Sequence, residues 1–155
     1  MAPASRQTAG TPTGHPLITE QGQQPRHDLV RLPVQDGVHL EVYWRSDDQG
    51  QGPAVSLYAN DVEVLRLDCF GGDQGHMHIN TKGRIAKRWY FPAGTVDDHI
   101  DRACFELGTN VEPCLRLNHD PEIARLNLDW KKMKLIASEA RRLLSALAGK
   151  RAQSM

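Results

Sequence analysis

The chain has 155 residues, of which 39% are hydrophobic and 25% charged, with 19 basic side chains against 19 acidic ones. That length and composition suit one globular domain, and no apolar run approaches the roughly 20 residues of a membrane helix, so a spanning protein is excluded. Charge neutrality argues against generic binding to duplex nucleic acid, where phosphate neutralisation dominates the affinity.

In chain order, residues 1–27 are rich in Pro, Gly, Thr and Gln and read as a flexible tail, because they cannot bury enough surface to offset their ordering entropy. The first ten residues show no apolar core of the secretory kind. A single domain is expected over 28–150, with 151–155 as a short C-terminal tail. Leu29–Val34 and Val38–Arg45 flank Asp36-Gly37, a strong hairpin signal. Ser46–Pro53 carries two Gln-Gly breakers and reads as an exposed loop. Ala54–Ala59 and Val62–Phe70 flank a second tight turn at Asn60-Asp61, and Gly75–Asn80 and Arg84–Phe91 flank a third at Thr81-Lys82-Gly83. Consecutive hairpins without helices between them predict an antiparallel meander of about six strands.

Two helices follow. Thr95 is a good N-cap with Asp98 in the capping-box position, an apolar stripe runs through Val96, Ile100, Ala103, Cys104 and Leu107, and Gly108 is a natural stop. The last helix is expected over Trp130–Ala148, capped by Asp129, with Met133, Ile136, Ala137, Ala140, Leu143, Leu144 and Leu147 on its apolar side. Between them, residues 121–128 fit a short helix or an edge strand equally well. The fold class is α+β, with both helices covering one face of the sheet. Cys69, Cys104 and Cys114 show no Cys-x-x-Cys spacing, so a disulfide framework or cysteine zinc site is not expected, and a reducing cytoplasm is the expected location.

Alternation selects what lies on the uncovered face: His39, Glu41, Tyr43, Ser56, Tyr58, Arg66, Asp68, His76, His78, Arg88 and Tyr90. The sharpest segment is Asp68 to His78. On a strand His76 and His78 project to the same side about 6–7 Å apart, a spacing at which two imidazoles can share a divalent metal with Asp68 or Asp73 as carboxylate ligand. The same pair, with Asp68 orienting a ring and Arg66, Arg88 and Tyr90 nearby, also suits metal-independent ribonuclease chemistry. In Lys82–Phe91, cations alternate with aromatics as in single-stranded nucleic-acid binders, although alternation sends Trp89 and Phe91 towards the core. Charge runs in blocks of alternating sign, acidic over 36–73 and 97–120, basic over 74–96 and 121–155.

The run of Tyr58-Ala59-Asn60, Leu67-Asp68-Cys69-Phe70, Gly75-His76-Met77-His78 and Phe91-Pro92-Ala93-Gly94-Thr95, followed by a helix, resembles a small bacterial domain family over about residues 57–107. No activity comes with that likeness. It also resembles the TumE-type toxins of toxin–antitoxin pairs, which implies a small sheet-plus-helix fold with a histidine-bearing hairpin. The toxins carry a richer histidine cluster there, and no catalytic residues are carried over.

The sequence therefore points to an interaction module that binds a partner protein or an anionic ligand through a polar sheet face. The residues concerned are Tyr58, Arg66, Asp68, Asp73, His76, His78, Arg88 and Tyr90. A ribonuclease-like or metal-dependent hydrolase using His76, His78, Asp68 and Arg66 is the alternative. RNA or single-stranded nucleic acid and a second copy of the chain are further candidate partners, and no cofactor is indicated.

Overall fold

The computed structural model describes residues 25–48, 50–80 and 87–154. Six strands, β1 (His27–Gln35), β2 (Val38–Asp47), β3 (Gly50–Ala59), β4 (Val62–Asp68), β5 (His76–Ile79) and β6 (Lys87–Tyr90), form one sheet in sequence order. Every neighbouring pair is antiparallel, so the meander expected from consecutive hairpins is the fold. Among the described residues four helices accompany it: α1 (Val96–Thr109), α2 (Val111–Arg116), α3 (Pro121–Ala124) and α4 (Trp130–Ser154). The class is α+β.

Turn chemistry sets the hairpins. Asn60 and Asp61 both have positive φ, 50° and 64°, the type I′ combination whose twist matches the flanking strands. Helix α4 lies across β1, β2 and β3, while α1 and α2 pack on β4. The core lies between these layers, with Leu40, Val42, Val55, Leu57, Leu65 and Leu67 of the sheet meeting Ile100, Leu107, Met133, Ala140 and Leu144 of the helices. Thr95 and Asp98 close α1 with the expected reciprocal capping box. Asp129 receives the Lys132 N–H at 3.1 Å at the start of α4.

Several expectations need correction. Ser46–Pro53 is not a loop: β2 and β3 stay paired as far as Asp47↔Gly50. Its glycines permit this, because a Cβ on Gly52 would sit 2.6 Å from the Cys69 carbonyl oxygen. Gly108 does not stop α1, which ends at Asn110 with the Asn110 N–H bonded to the Glu106 carbonyl. Residues 121–124 are a short helix capped by Asp120, and 125–129 join no strand. The expected C-terminal tail is helical to Ser154, and Arg151 reaches Asp28 at 3.1 Å. Arg26 and His27, placed in the tail, belong to the fold, and His27 opens β1. The rest of that tail's residues through 24, and the turn at Thr81-Lys82-Gly83, lie outside the described residues.

Candidate functional site

The face turned away from the helices carries the polar set that alternation selected, but much of it is closed to water, with Arg88 and Tyr90 exposed at its β6 edge. Tyr43, Ser56 and Asp68 are fully buried, and His76 and Glu63 are 1% exposed. Groups so placed need partners, since an unsatisfied buried charge is costly. They find them in two clusters.

The first lies over β2, β3 and the start of β4. Arg26 sits 4.3 Å above the Tyr43 ring and reaches Glu63 at 2.7 Å, Glu41 at 3.1 Å and the Tyr58 hydroxyl at 2.8 Å. Ser56 donates to Glu63 at 2.5 Å, and His39 stacks on Tyr58 with ring centroids 5.0 Å apart. Burial, then the Glu63 carboxylate, pushes the Tyr58 hydroxyl up to about 12.

The second cluster surrounds Asp68 and contains the histidine pair. Strand register places it: Asp68↔His76↔Tyr90 form one cross-strand row, and Arg66↔His78↔Arg88 form the next. Asp68 takes contacts from His76 Nε2 at 3.0 Å, Arg66 Nε at 3.2 Å and Arg45 Nη1 at 3.2 Å. Arg45 also meets Asp47 at 2.9 Å. Burial alone would raise the Asp68 carboxyl, but the His76 hydrogen bond and the two guanidinium groups hold it well below the usual carboxylate range.

The histidines differ. His76 is tied at both nitrogens, with Nδ1 2.7 Å from the Gln74 carbonyl oxygen and Nε2 on Asp68. His78 Nε2 is buried without a hydrogen-bond partner, 3.9 Å from Asp68. Burial and then the adjacent Arg66 push its pKa down to about 3, so it is a neutral ring at pH 7.

The loop into β5 fixes this geometry. Gly71 and Gly72 have φ of +78° and +59°, and the Gly71 N–H donates to His99 Nδ1 at 3.0 Å. His99 Nε2 donates in turn to the Pro92 carbonyl at 3.0 Å, which settles its tautomer. Gly72 and Gly94 exchange backbone hydrogen bonds, and the Phe91 N–H donates to the Gly75 carbonyl at 2.8 Å. The loop is thereby clamped to the start of α1, and His76 follows directly.

Of the residues selected from sequence, Arg66, Asp68, His76, His78, Arg88 and Tyr90 come together. Tyr58 belongs to the Arg26 cluster, and Asp73 is exposed on the loop, bonded to the Gln74 side chain at 2.9 Å. Sequence reasoning missed Arg26, Arg45 and Glu63 as members. Arg45 was on the correct face by alternation. Glu63 was hidden by a β-bulge: Tyr58 pairs Glu63 while Leu57 pairs Leu65, so Val64 is an extra residue. Counting by twos from Leu65 puts Glu63 among the helices, whereas counting outward from Asn60-Asp61 puts it opposite Tyr58. That conflict was the available signal.

The ligand atoms of Asp68, His76 and His78 lie within 4.8 Å of one another, the spread of a two-histidine, one-carboxylate metal set. The two guanidinium groups on the same carboxylate compete with a cation for it. A groove of about 660 Å³ between Trp44, Pro53, Val96 and Ala148 shares no residue with the cluster. Comparisons with family models, with curated proteins and with solved structures find no match. The motif likeness over 57–107 rests on those residues alone.

Proposed function

We propose that the chain is a binding module whose polar sheet face recognises an anionic ligand or an acidic segment of a partner protein. The observation that carries this reading is the row Arg66–His78–Arg88 on three adjacent strands, with a neutral ring between two guanidinium groups. Arg66 and Arg88 both pair with His78, so an anion seated over that row would meet two guanidinium groups and a ring. Arg88 and Tyr90 are exposed, so the row can be approached from β6, the last strand of the sheet.

Calorimetry of the full chain against phosphate, citrate and polyglutamate tests this. Binding should weaken as salt rises and fall at least tenfold in the double variant Arg66→Gln/Arg88→Gln. The reading fails if no anion binds or if the double variant binds as well as the unaltered chain.

A hydrolase on the same residues is the second reading, favoured by the closeness of the Asp68, His76 and His78 ligand atoms. It requires stoichiometric zinc, manganese or iron by elemental analysis, or turnover of a phosphodiester that His76→Ala abolishes. A pKa near 3 leaves His78 a weak general base, which speaks against metal-independent acid–base chemistry there.

A further inference from the structure

Resting on the anion-binding reading, we propose that the group recognised is a terminal phosphoryl group, a phosphate monoester, held between Arg66 and Arg88 with His78 beneath it. Three features of the second cluster select this chemistry.

The first is the arrangement of the donors. Arg66 and Arg88 sit on β4 and β6 with β5 between them, so their backbones are about 9.6 Å apart, twice the strand spacing. Their side chains can converge over His78 from opposite sides. A planar carboxylate is satisfied by one guanidinium in a bidentate pair, whereas a tetrahedral group offers separate oxygens to two guanidinium groups and a ring.

The second is the shape of the approach. The side chains of Arg66 and His78 are only 13% and 10% exposed, while Tyr90 beside them is 51% exposed. Two largely buried donors thus lie beside an exposed edge strand. The end of a ligand reaches donors so placed more readily than an internal phosphodiester, which carries a substituent on both sides of its phosphorus.

The third is what the donors already do. Asp68 carries contacts from Arg45, Arg66 and His76, yet Arg66 meets it through Nε only. Among the described residues that is the one side-chain hydrogen bond Arg66 makes, and it fixes the side chain with its terminal nitrogens available. The buried His78 Nε2 has no partner. Asp68 is a positioning residue here: it holds Arg66 and the His76 ring without needing to touch the ligand.

The test uses the full chain and four probes in calorimetry at one ionic strength: phenyl phosphate, a phosphoserine peptide, dimethyl phosphate and acetate. Both monoesters should bind at least tenfold more tightly than the diester and acetate, and whichever monoester binds more tightly identifies a small-molecule or a protein source. Arg66→Lys should lose at least tenfold, because one ammonium cannot hold Asp68 and the ligand together. His78→Gln, which keeps an N–H donor, should retain most of the binding that His78→Leu loses. Equal or tighter binding of dimethyl phosphate or acetate would overturn the monoester assignment and leave the anion reading standing. Failure of every probe, with the fold intact by circular dichroism, would overturn both. The probe selectivity is measured on the unaltered protein, so misfolding of a variant does not shield the proposal.

Discussion

A carboxylate with no exposed surface persists as an anion only if neighbours replace the water it has lost, and Asp68 is supplied by two guanidinium groups and an imidazole. Removing the anion should therefore hurt more than an ordinary surface change. Asp68→Asn is expected to cost up to about 3–5 kcal/mol in urea unfolding at pH 7, since it strands buried positive charge. His78 gives the cluster a pH dependence of definite sign. Its pKa of about 3 in the folded chain lies below the 6.5 of an unperturbed histidine, so the unfolded chain binds the extra proton first. Its contribution to stability is complete above pH 6.5 and is lost progressively as the pH falls towards 3. Urea midpoints measured at pH 7 and pH 4.5 should fall further for the unaltered protein than for His78→Gln. The difference should be smaller than the about 1.4 kcal/mol per pH unit of a fully shielded group, because part of the ring meets solvent. An equal fall in both proteins would show that His78 keeps an ordinary affinity for protons. At this scale the sequence was informative where residue type and parity agreed: His76 and His78 share a face because i and i+2 must, and Asp68 lies with Arg66 opposite Leu65 and Leu67 for the same reason. Parity says nothing about burial, so the face expected to meet water is instead filled with paired charge.

Elements place these groups through a few positions where the backbone departs from regularity. Gly75 is one, because a Cβ there would lie 2.1 Å from His99 Nδ1. Gly75→Ala must displace the histidine that holds Gly71 and Pro92, and a destabilisation of about 1–3 kcal/mol is expected from such overpacking. If the clash is the cause, Gly75→Ala/His99→Ala should be less destabilised than the sum of the two single variants, as read from a double-mutant cycle. The β4 bulge is the other. Deleting Val64 leaves Glu63, Arg66 and Asp68 on the polar face and Leu65 and Leu67 on the helix side, so the chain should fold with a loss of about 1.5–3 kcal/mol for one buried valine. Deleting Leu67 instead sends Asp68 towards the helices, and that chain should not fold cooperatively. Similar midpoints for both deletions would refute the bulge as the device that sorts the charges. The hairpins, the α1 cap and the apolar helix stripes were legible because local turn and capping chemistry encodes them. The Ser46–Pro53 pairing was not, since the Phe70 and Cys69 contacts that make its glycines useful come from the segment that follows β4.

Across the whole molecule one sheet carries two buried surfaces of opposite character, an apolar one under α1 and α4 and a charged one on the reverse. The apolar side gains from simple removal from water, whereas the charged side holds only while each ion keeps its counter-ion. Arg26 is the decisive counter-ion for the half over β2 and β3, bridging Glu41, Glu63 and Tyr58 from just before β1. Burial opposes its charged form, but Tyr43, the Glu63 carboxylate and Tyr58 together outweigh it, and the guanidinium pKa is raised. Arg26→Met keeps much of the packing over Tyr43 and removes the charge, leaving the Glu63 carboxylate, which is 1% exposed, to be neutralised another way. We expect a loss of up to about 3–5 kcal/mol at pH 7. Because the cost then lies in a buried anion, Arg26→Met/Glu63→Gln should recover most of it. Thermal unfolding of the two variants at pH 7 reads this. A double variant no more stable than the single one would mean that Arg26 acts through packing on Tyr43 and that the charged face is not organised around ion pairs.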